Sequence, residues 1–267
     1  IDAEKFSLSH LQQPSLFIRV RPGFGQTVQQ KLQTKSIAFK EISANCFELN
    51  SSTKLEETIS LNKEAVVQDY SSQQTALLLQ TVQAAFAERK SAVKIWDCCA
   101  ASGGKSILAK DVFKNISLTV SDIRASIISN LHKRFREAGI SNYASYIADV
   151  SKPVPASVIQ DDFDCIICDA PCSGSGTWSR SPEQLSFFSE AEIAGYASLQ
   201  KSIAANTIPH LRSGGYFLYI TCSVFKKENE EVAAYIQQQW QLHLLQQQWL
   251  IGYDKDADTM FAALFKK

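Results

Sequence analysis

The sequence predicts an α/β fold: a Rossmann-like, mostly parallel sheet with helices on both faces and an antiparallel closing strand, preceded by a small α+β unit. Three observations carry this reading. From Ala92 onward apolar strands alternate with helical segments, the pattern of parallel strands joined by helical crossovers. Strand after strand then ends in aspartate, at Asp97, Asp122, Asp149 and Asp169, and a further one ends in Cys222. A turn of small residues, Cys99-Ala-Ala-Ser-Gly-Gly-Lys105, follows the first of these strands and leads into a helix.

Taken in order, residues 15–22 (SLFIRVRP) read as a strand, 26–34 as a short helix and 39–49 as one or two further strands. Together they make the small unit, assigned to residues 1–68. Residues 71–89 carry apolar positions at helical spacing with a serine near the start to cap them. The second unit, residues 69–267, has strands at 92–97, 117–122, 143–149, 163–170 and 216–222. Helices fit at 105–113, 125–138, 190–211 and 227–239, and segments 243–251 and 260–265 read as an antiparallel closing pair.

Composition bounds the function. With 267 residues and 45% hydrophobic content the chain can bury a sizeable core. No apolar run reaches the roughly 20 residues that span a bilayer, and the opening IDAEKFSLSH lacks the pattern of a signal peptide, so a cytoplasmic, membrane-free protein is expected, as a monomer. Seven cysteines without a secretion signal argue for thiols rather than a disulfide framework. The net charge is zero, so a polyanionic partner must be held by local patches such as Lys133-Arg134-Phe-Arg136, or by a segment outside these residues.

Ligands of doubly wound sheets sit beyond the carboxyl ends of the strands. One acidic strand end is an ordinary helix cap or turn former; several along one rim are harder to dismiss. The glycine turn lets a ligand approach backbone N–H groups, yet it is neither a phosphate loop nor a complete dinucleotide fingerprint. With Asp122 placed to accept bonds from a ribose diol, it suggests an adenosine-type cofactor. Asp169-Ala-Pro-Cys-Ser-Gly174 and Thr221-Cys-Ser223 put a cysteine after each of two strands, readable as buried thiols, half of a disulfide, metal ligands or nucleophiles. Cys165 and Cys168 have the spacing of a zinc pair, but residues three apart on a strand face opposite sides, so no metal is expected; these two and Cys98 read as core residues.

DCCAASGGK (97–105), Asp122, Asp149, DAPCSG (169–174) and TCS (221–223) with Glu228-Asn-Glu230 together resemble the motif series of the RsmB/Sun family of RNA (cytosine-5)-methyltransferases. Val67-Gln-Asp-Tyr-Ser71 and the terminal MFAALFKK fall where that family has related segments, so the resemblance runs over nearly the whole chain in order. It implies an S-adenosylmethionine-dependent methyltransferase acting on rRNA or tRNA, with residues 1–68 as an RRM-like RNA-binding domain. By position, Cys99, Ala100, Ala101, Ser102, Gly103, Gly104 and Lys105 form the cofactor loop; Asp122 holds the ribose, Asp149 lies near the adenine, and Asp169 sits between cofactor and target base. Ser102 stands where the family usually has proline, giving the same turn with less rigidity. The resemblance further implies that Cys222 is the nucleophile, that Cys172 assists its release, and that Pro171 and Arg180 shape the substrate pocket.

This chemistry has use for thiols. Carbon 5 of cytosine is a poor nucleophile until a thiolate adds at carbon 6, which splits one hard step into easier ones. A proton donor near the ring nitrogen stabilises the charge that develops; the resemblance puts Asp169 there, with Lys105 to tune it and to favour thiolate formation. Arg180 has two readings, a phosphate contact or a solvated loop charge, and Arg19 and Arg21, which share a strand face, either touch RNA or only water. A methyltransferase with a non-RNA substrate would explain the cofactor loop but not the paired cysteines; a non-catalytic RNA-binding or assembly protein would need neither.

Overall fold

The structure is a computed structural model that describes residues 1–154, 159 and 162–267. Its first sheet contains β1 (Leu16–Val20), β2 (Phe39–Ser43), β3 (Cys46–Leu49) and β4 (Ala65–Val67) in the order β2-β3-β1-β4, with every pairing antiparallel. Alternate residues of these strands, Ile18, Val20, Phe47 and Leu49, bury against Val28 and Leu32 of the helix Gly25–Thr34. β4 and the helix Ala3–Ser9 carry no pattern in the sequence that predicts them: β4 is only three residues long, too short for a period to register.

The second sheet holds β5 (Val93–Asp97), β6 (Ile116–Asp122), β7 (Tyr143–Ile147), β8 (Phe163–Asp169), β9 (Leu211–Thr221), β10 (His243–Leu250) and β11 (Met260–Lys266). Their order is β10-β11-β9-β8-β5-β6-β7. The pairings from β9 to β7 are parallel, whereas β11 runs antiparallel to both β9 and β10. The closing pair is therefore not an appended hairpin, because the reversed strand is threaded between the other two.

Period-two alternation explains how both faces are covered. Ile95, Leu118, Cys165, Ile167, Leu218 and Leu264 face one core with the helices Tyr70–Ala85, Gly104–Val112 and Ala125–Glu137. Trp96, Cys98, Ile166, Cys168, Phe217 and Phe265 face the other with the helices Ala191–Thr207 and Glu230–Trp240. The CxxC pair divides between these two cores, as strand geometry requires. The cap of Tyr70–Ala85 differs from expectation: Asp69, not a serine, accepts from the backbone N–H of Ser71 at 2.8 Å.

Arg19 and Arg21 touch neither water alone nor an open surface. Arg19 is 5% exposed and donates to Asp111 Oδ2 (2.5 Å) and Gln68 Oε1 (2.8 Å). Arg21 donates to both carboxylate oxygens of Asp111 and to the carbonyl oxygens of Asn62 and Ala138. These arginines fasten the small sheet to the helix Gly104–Val112, and their sharing of one carboxylate accounts for their placement on one strand face.

Candidate active site

The carboxyl ends of β5 to β9 surround a cleft of about 540 Å³. Its walls include Cys99, Ala101, Asp122, Asp149, Asp169, Pro171, Cys172 and Cys222, so the strand-end acids and both cysteines share one concavity. Ala100, Ser102, Gly103, Gly104, Lys105 and Arg180 stand outside that lining.

The turn after β5 is held in a fixed shape. Ala101 adopts φ +45° and its N–H donates to Asp122 Oδ2 at 3.0 Å; Gly103 adopts φ +84°, where an added Cβ would lie 2.6 Å from the ring of Phe135. Ser102, in the place where proline is usual, accepts from Arg134 at its hydroxyl (2.7 Å) and carbonyl (3.0 Å). The arginine thus supplies the rigidity that a proline ring would have given. Asp122 also accepts from the N–H and guanidinium of Arg124, which outweigh its partial burial and hold its carboxyl below the usual range. Asp149 lies two residues past β7, where Ser151 and Lys152 likewise keep it ionised.

On the other side, Cys172 Sγ and Cys222 Sγ are 3.3 Å apart across loops fifty positions apart in sequence. Neither residue is fully buried as a whole. The contact with Cys172, burial and the charge of Asp169 all push the Cys222 thiol up. Lys105 does not face that thiol. Its ammonium donates to Asp169 Oδ2 (3.0 Å) and Ser72 Oγ (2.7 Å), so its hydrogen bonds go to the acid and a hydroxyl rather than to the cysteine. Gln68 donates to the same Ser72 hydroxyl (3.1 Å), which continues the polar chain back to Arg19 and the small sheet.

Arg180 is part-exposed and held by two carboxylates. It donates to Asp258 Oδ1 and to Asp69 Oδ2, both at 2.7 Å, and so ties the loop after DAPCSG to the turn before β11 and to a helix N-terminus. Gly176 completes this tie: its N–H donates to Cys222 O (2.8 Å), its carbonyl accepts from Thr259 N–H (2.9 Å), and an added Cβ would stand 1.9 Å from Thr259 O.

Two groups without an assigned role hold the thiol loops together. The carboxylate of Glu228, fully buried, accepts from Ser173 N–H (2.8 Å), Ser223 Oγ (2.7 Å) and Gln200 Nε2 (3.1 Å). Asn229 accepts from Thr221 Oγ1 and donates to Ser223 O at 2.8 Å. One residue pair therefore grips DAPCSG and TCS at once. The sequence showed it only as part of Glu228-Asn-Glu230, with no signal of what it grips.

A parallel sheet closed by one reversed strand, with a glycine turn after its central strand and acids along the rim, defines a Rossmann-like class I methyltransferase. The chain belongs to the 16S rRNA methyltransferase RsmB/F family, whose family model matches residues 84–258. It is 30% identical over 168 residues to ribosomal RNA small subunit methyltransferase F of Enterobacter sp. (strain 638), covering 62% of this chain and 35% of the relative. The corresponding protein of Escherichia coli O157:H7 (strain EC4115 / EHEC) is 30% identical over 166 residues, 62% of this chain and 34% of its own length. The chain thus spans about a third of the length of these curated relatives. In fold it matches NSun6 from Pyrococcus horikoshii, crystallised with SFG, at a TM-score of 0.82 and 14% identity over all of this chain and 94% of that one. A methyltransferase homolog protein from the same organism gives 0.76 and 19%, covering 98% and 90%.

Proposed function

We propose that this chain methylates carbon 5 of a cytosine in rRNA or tRNA, with S-adenosylmethionine as donor and Cys222 as covalent nucleophile. The observation that carries the reading is the pair of sulfurs 3.3 Å apart at one end of a cleft whose far end has the acids Asp122 and Asp149. Fit to the donor is supported by the cleft itself: carboxylates for a ribose diol, a turn held open by Gly103, and apolar walls at Ile123, Leu199 and Ile203 for an adenine. S-adenosylmethionine supplies an electrophilic methyl group there. The remaining work falls to side chains.

Cys222 gives its proton to solvent and its sulfur adds to carbon 6 of the ring, forming a C–S bond as the C5–C6 double bond opens and its electron pair moves toward the ring nitrogen. The Lys105–Asp169 pair meets that charge. Carbon 5, now enamine-like, takes the methyl group. A base at Cys172, directly or through a water, then removes the carbon 5 proton, and the electron pair left behind expels the Cys222 thiolate. None of these steps calls for a metal ion. Reaching carbon 6 requires an unstacked base, so a single-stranded or extruded cytosine is the substrate. The small sheet of residues 1–68 is proposed to help hold the RNA, its register to the catalytic unit fixed by the Arg19 and Arg21 contacts.

The test is to incubate Cys172→Ala protein with ribosomal or transfer RNA and S-adenosylmethionine and to look for a denaturant-resistant protein–RNA adduct. The adduct is expected, and is expected to vanish when Cys222 is also replaced. An adduct that persists without Cys222 would overturn the assignment of the nucleophile.

A further inference from the structure

Cys168 does not stand alone in its core. Its sulfur and those of the vicinal pair Cys98 and Cys99, delivered from the neighbouring strand end, all lie within 4.8 Å of one another. β8 and β5 are adjacent and parallel, so Cys168 at the end of one meets the first residues of the turn after the other. Cys98 and Cys168 are fully buried, while Cys99 is half-buried and forms part of the cleft wall. None of the three belongs to the catalytic pair. Sulfurs around a trigonal ion at a metal–sulfur distance of about 2.3 Å lie about 4 Å apart, so the cluster needs to contract by less than an ångström or so to close on one.

We propose that Cys98, Cys99 and Cys168 form a binding site for a soft, thiophilic d10 metal ion. The donor set is three sulfurs with no carboxylate or imidazole among them, which selects against magnesium or calcium and for ions of the zinc, cadmium and copper(I) type. Each thiol that coordinates releases one proton to solvent, and a divalent ion on three thiolates leaves one net negative charge. An open coordination position would face the cleft on the Cys99 side, and the other two sulfurs are shielded by core residues such as Trp96, Phe217 and Tyr219. The site shares Cys99 with the proposed cofactor loop but none of its sulfurs with the methyl-transfer steps, so a failure to bind metal would leave that reading untouched.

Cadmium(II) is the probe. In Cys172→Ser/Cys222→Ser protein, titration anaerobically with cadmium should produce an ultraviolet thiolate-to-metal charge-transfer band that saturates at one ion per chain. Cys98→Val and Cys168→Val, which fill the same buried space without sulfur, should each weaken binding by at least about tenfold. Should either variant fail to fold by circular dichroism, Cys99→Ser, at the half-exposed position, should lower the band by about a third, as loss of one of three thiolates requires. Absence of a band in the double-serine protein, or a band unchanged in all three further variants, would overturn the site.

Discussion

The two halves of the catalytic rim are built by different means. The half proposed to hold the cofactor, at the ends of β5, β6 and β7, is held mainly by contacts within a strand end and its own turn, Asp122 with Arg124 and Asp149 with Ser151, with one link of 21 positions from Ala101 to Asp122. The thiol half, at the ends of β8 and β9, is held by buried groups that bridge long separations, with Glu228 joining Ser173 to Ser223 and Gly176 joining Cys222 to Thr259. A site that only binds tolerates local turns partly open to water. A site that must keep two sulfurs in contact needs a desolvated frame, because small displacements there cost rate rather than affinity.

If that contrast is right, substitutions in the thiol half should cost stability and those in the cofactor half should cost affinity. Glu228→Ala removes the buried acceptor shared by Ser173 N–H, Ser223 Oγ and Gln200 Nε2 and should lower unfolding free energy by about 4 kcal/mol, with methyl transfer falling to background. Denaturant titration and a tritium-transfer assay measure both; an Ala variant that melts like the parent would break the comparison. Gly176→Ala drives a Cβ into backbone rather than into a yielding side chain and should cost about 3 kcal/mol. Asp122→Ala should weaken S-adenosylmethionine binding about 30-fold, or about 2 kcal/mol, as seen by calorimetry, while the alkylation rate of Cys222 stays unchanged.

The smallest effect concerns Asp97, fully buried at the end of β5. Burial pushes its carboxyl up to about 7, with the Ser106 hydroxyl opposing from 2.6 Å. The folded chain therefore holds a proton here that the unfolded chain gives up in the ordinary carboxylate range. Stability from this group is complete at acid pH, falls as pH rises toward 7, and levels off above it. Asp97→Asn should remove a slope of about 1 kcal/mol per pH unit between pH 5 and 7 in melts across that window. A parent protein with no such slope would show Asp97 to be ionised throughout.

The same contrast explains what the sequence disclosed. The cofactor half was legible because its determinants are adjacent: a strand, an aspartate, a glycine turn and a helix in one short run. The strands of the large sheet were legible for the same reason, apart from the end of β7, which stops at Ile147 and leaves Asp149 beyond it, and the start of β9, which begins at Leu211 where a helix was expected. The positions of Cys172 and Cys222 could be matched by motif. Their 3.3 Å approach, and the grip of Glu228 and Asn229 on both loops, depend on which strands become neighbours, and no local pattern encodes that. Arg19, Arg21 and Arg180 show the same limit from the other side. Arg19 and Arg21 read as touching either RNA or only water, and Arg180 as a phosphate contact or a solvated loop charge; each pairs with an aspartate that lies far away in sequence.

The reversed strand β11 places these long separations on a timetable. Residues 260–266 separate β9 from β10 in the sheet, and Asp258 and Thr259, just before them, anchor the loop that follows Cys172. During synthesis, β5, β6 and β7 can pair with their helices and form the cofactor turn while β9 still has a bare edge. Only when residues 258–266 have left the ribosome does that edge gain its neighbour and the loop its anchor. On the proposed reading, the half of the site that would hold the donor can thus form before the half that would carry the nucleophile, and the late, non-local pairing completes it.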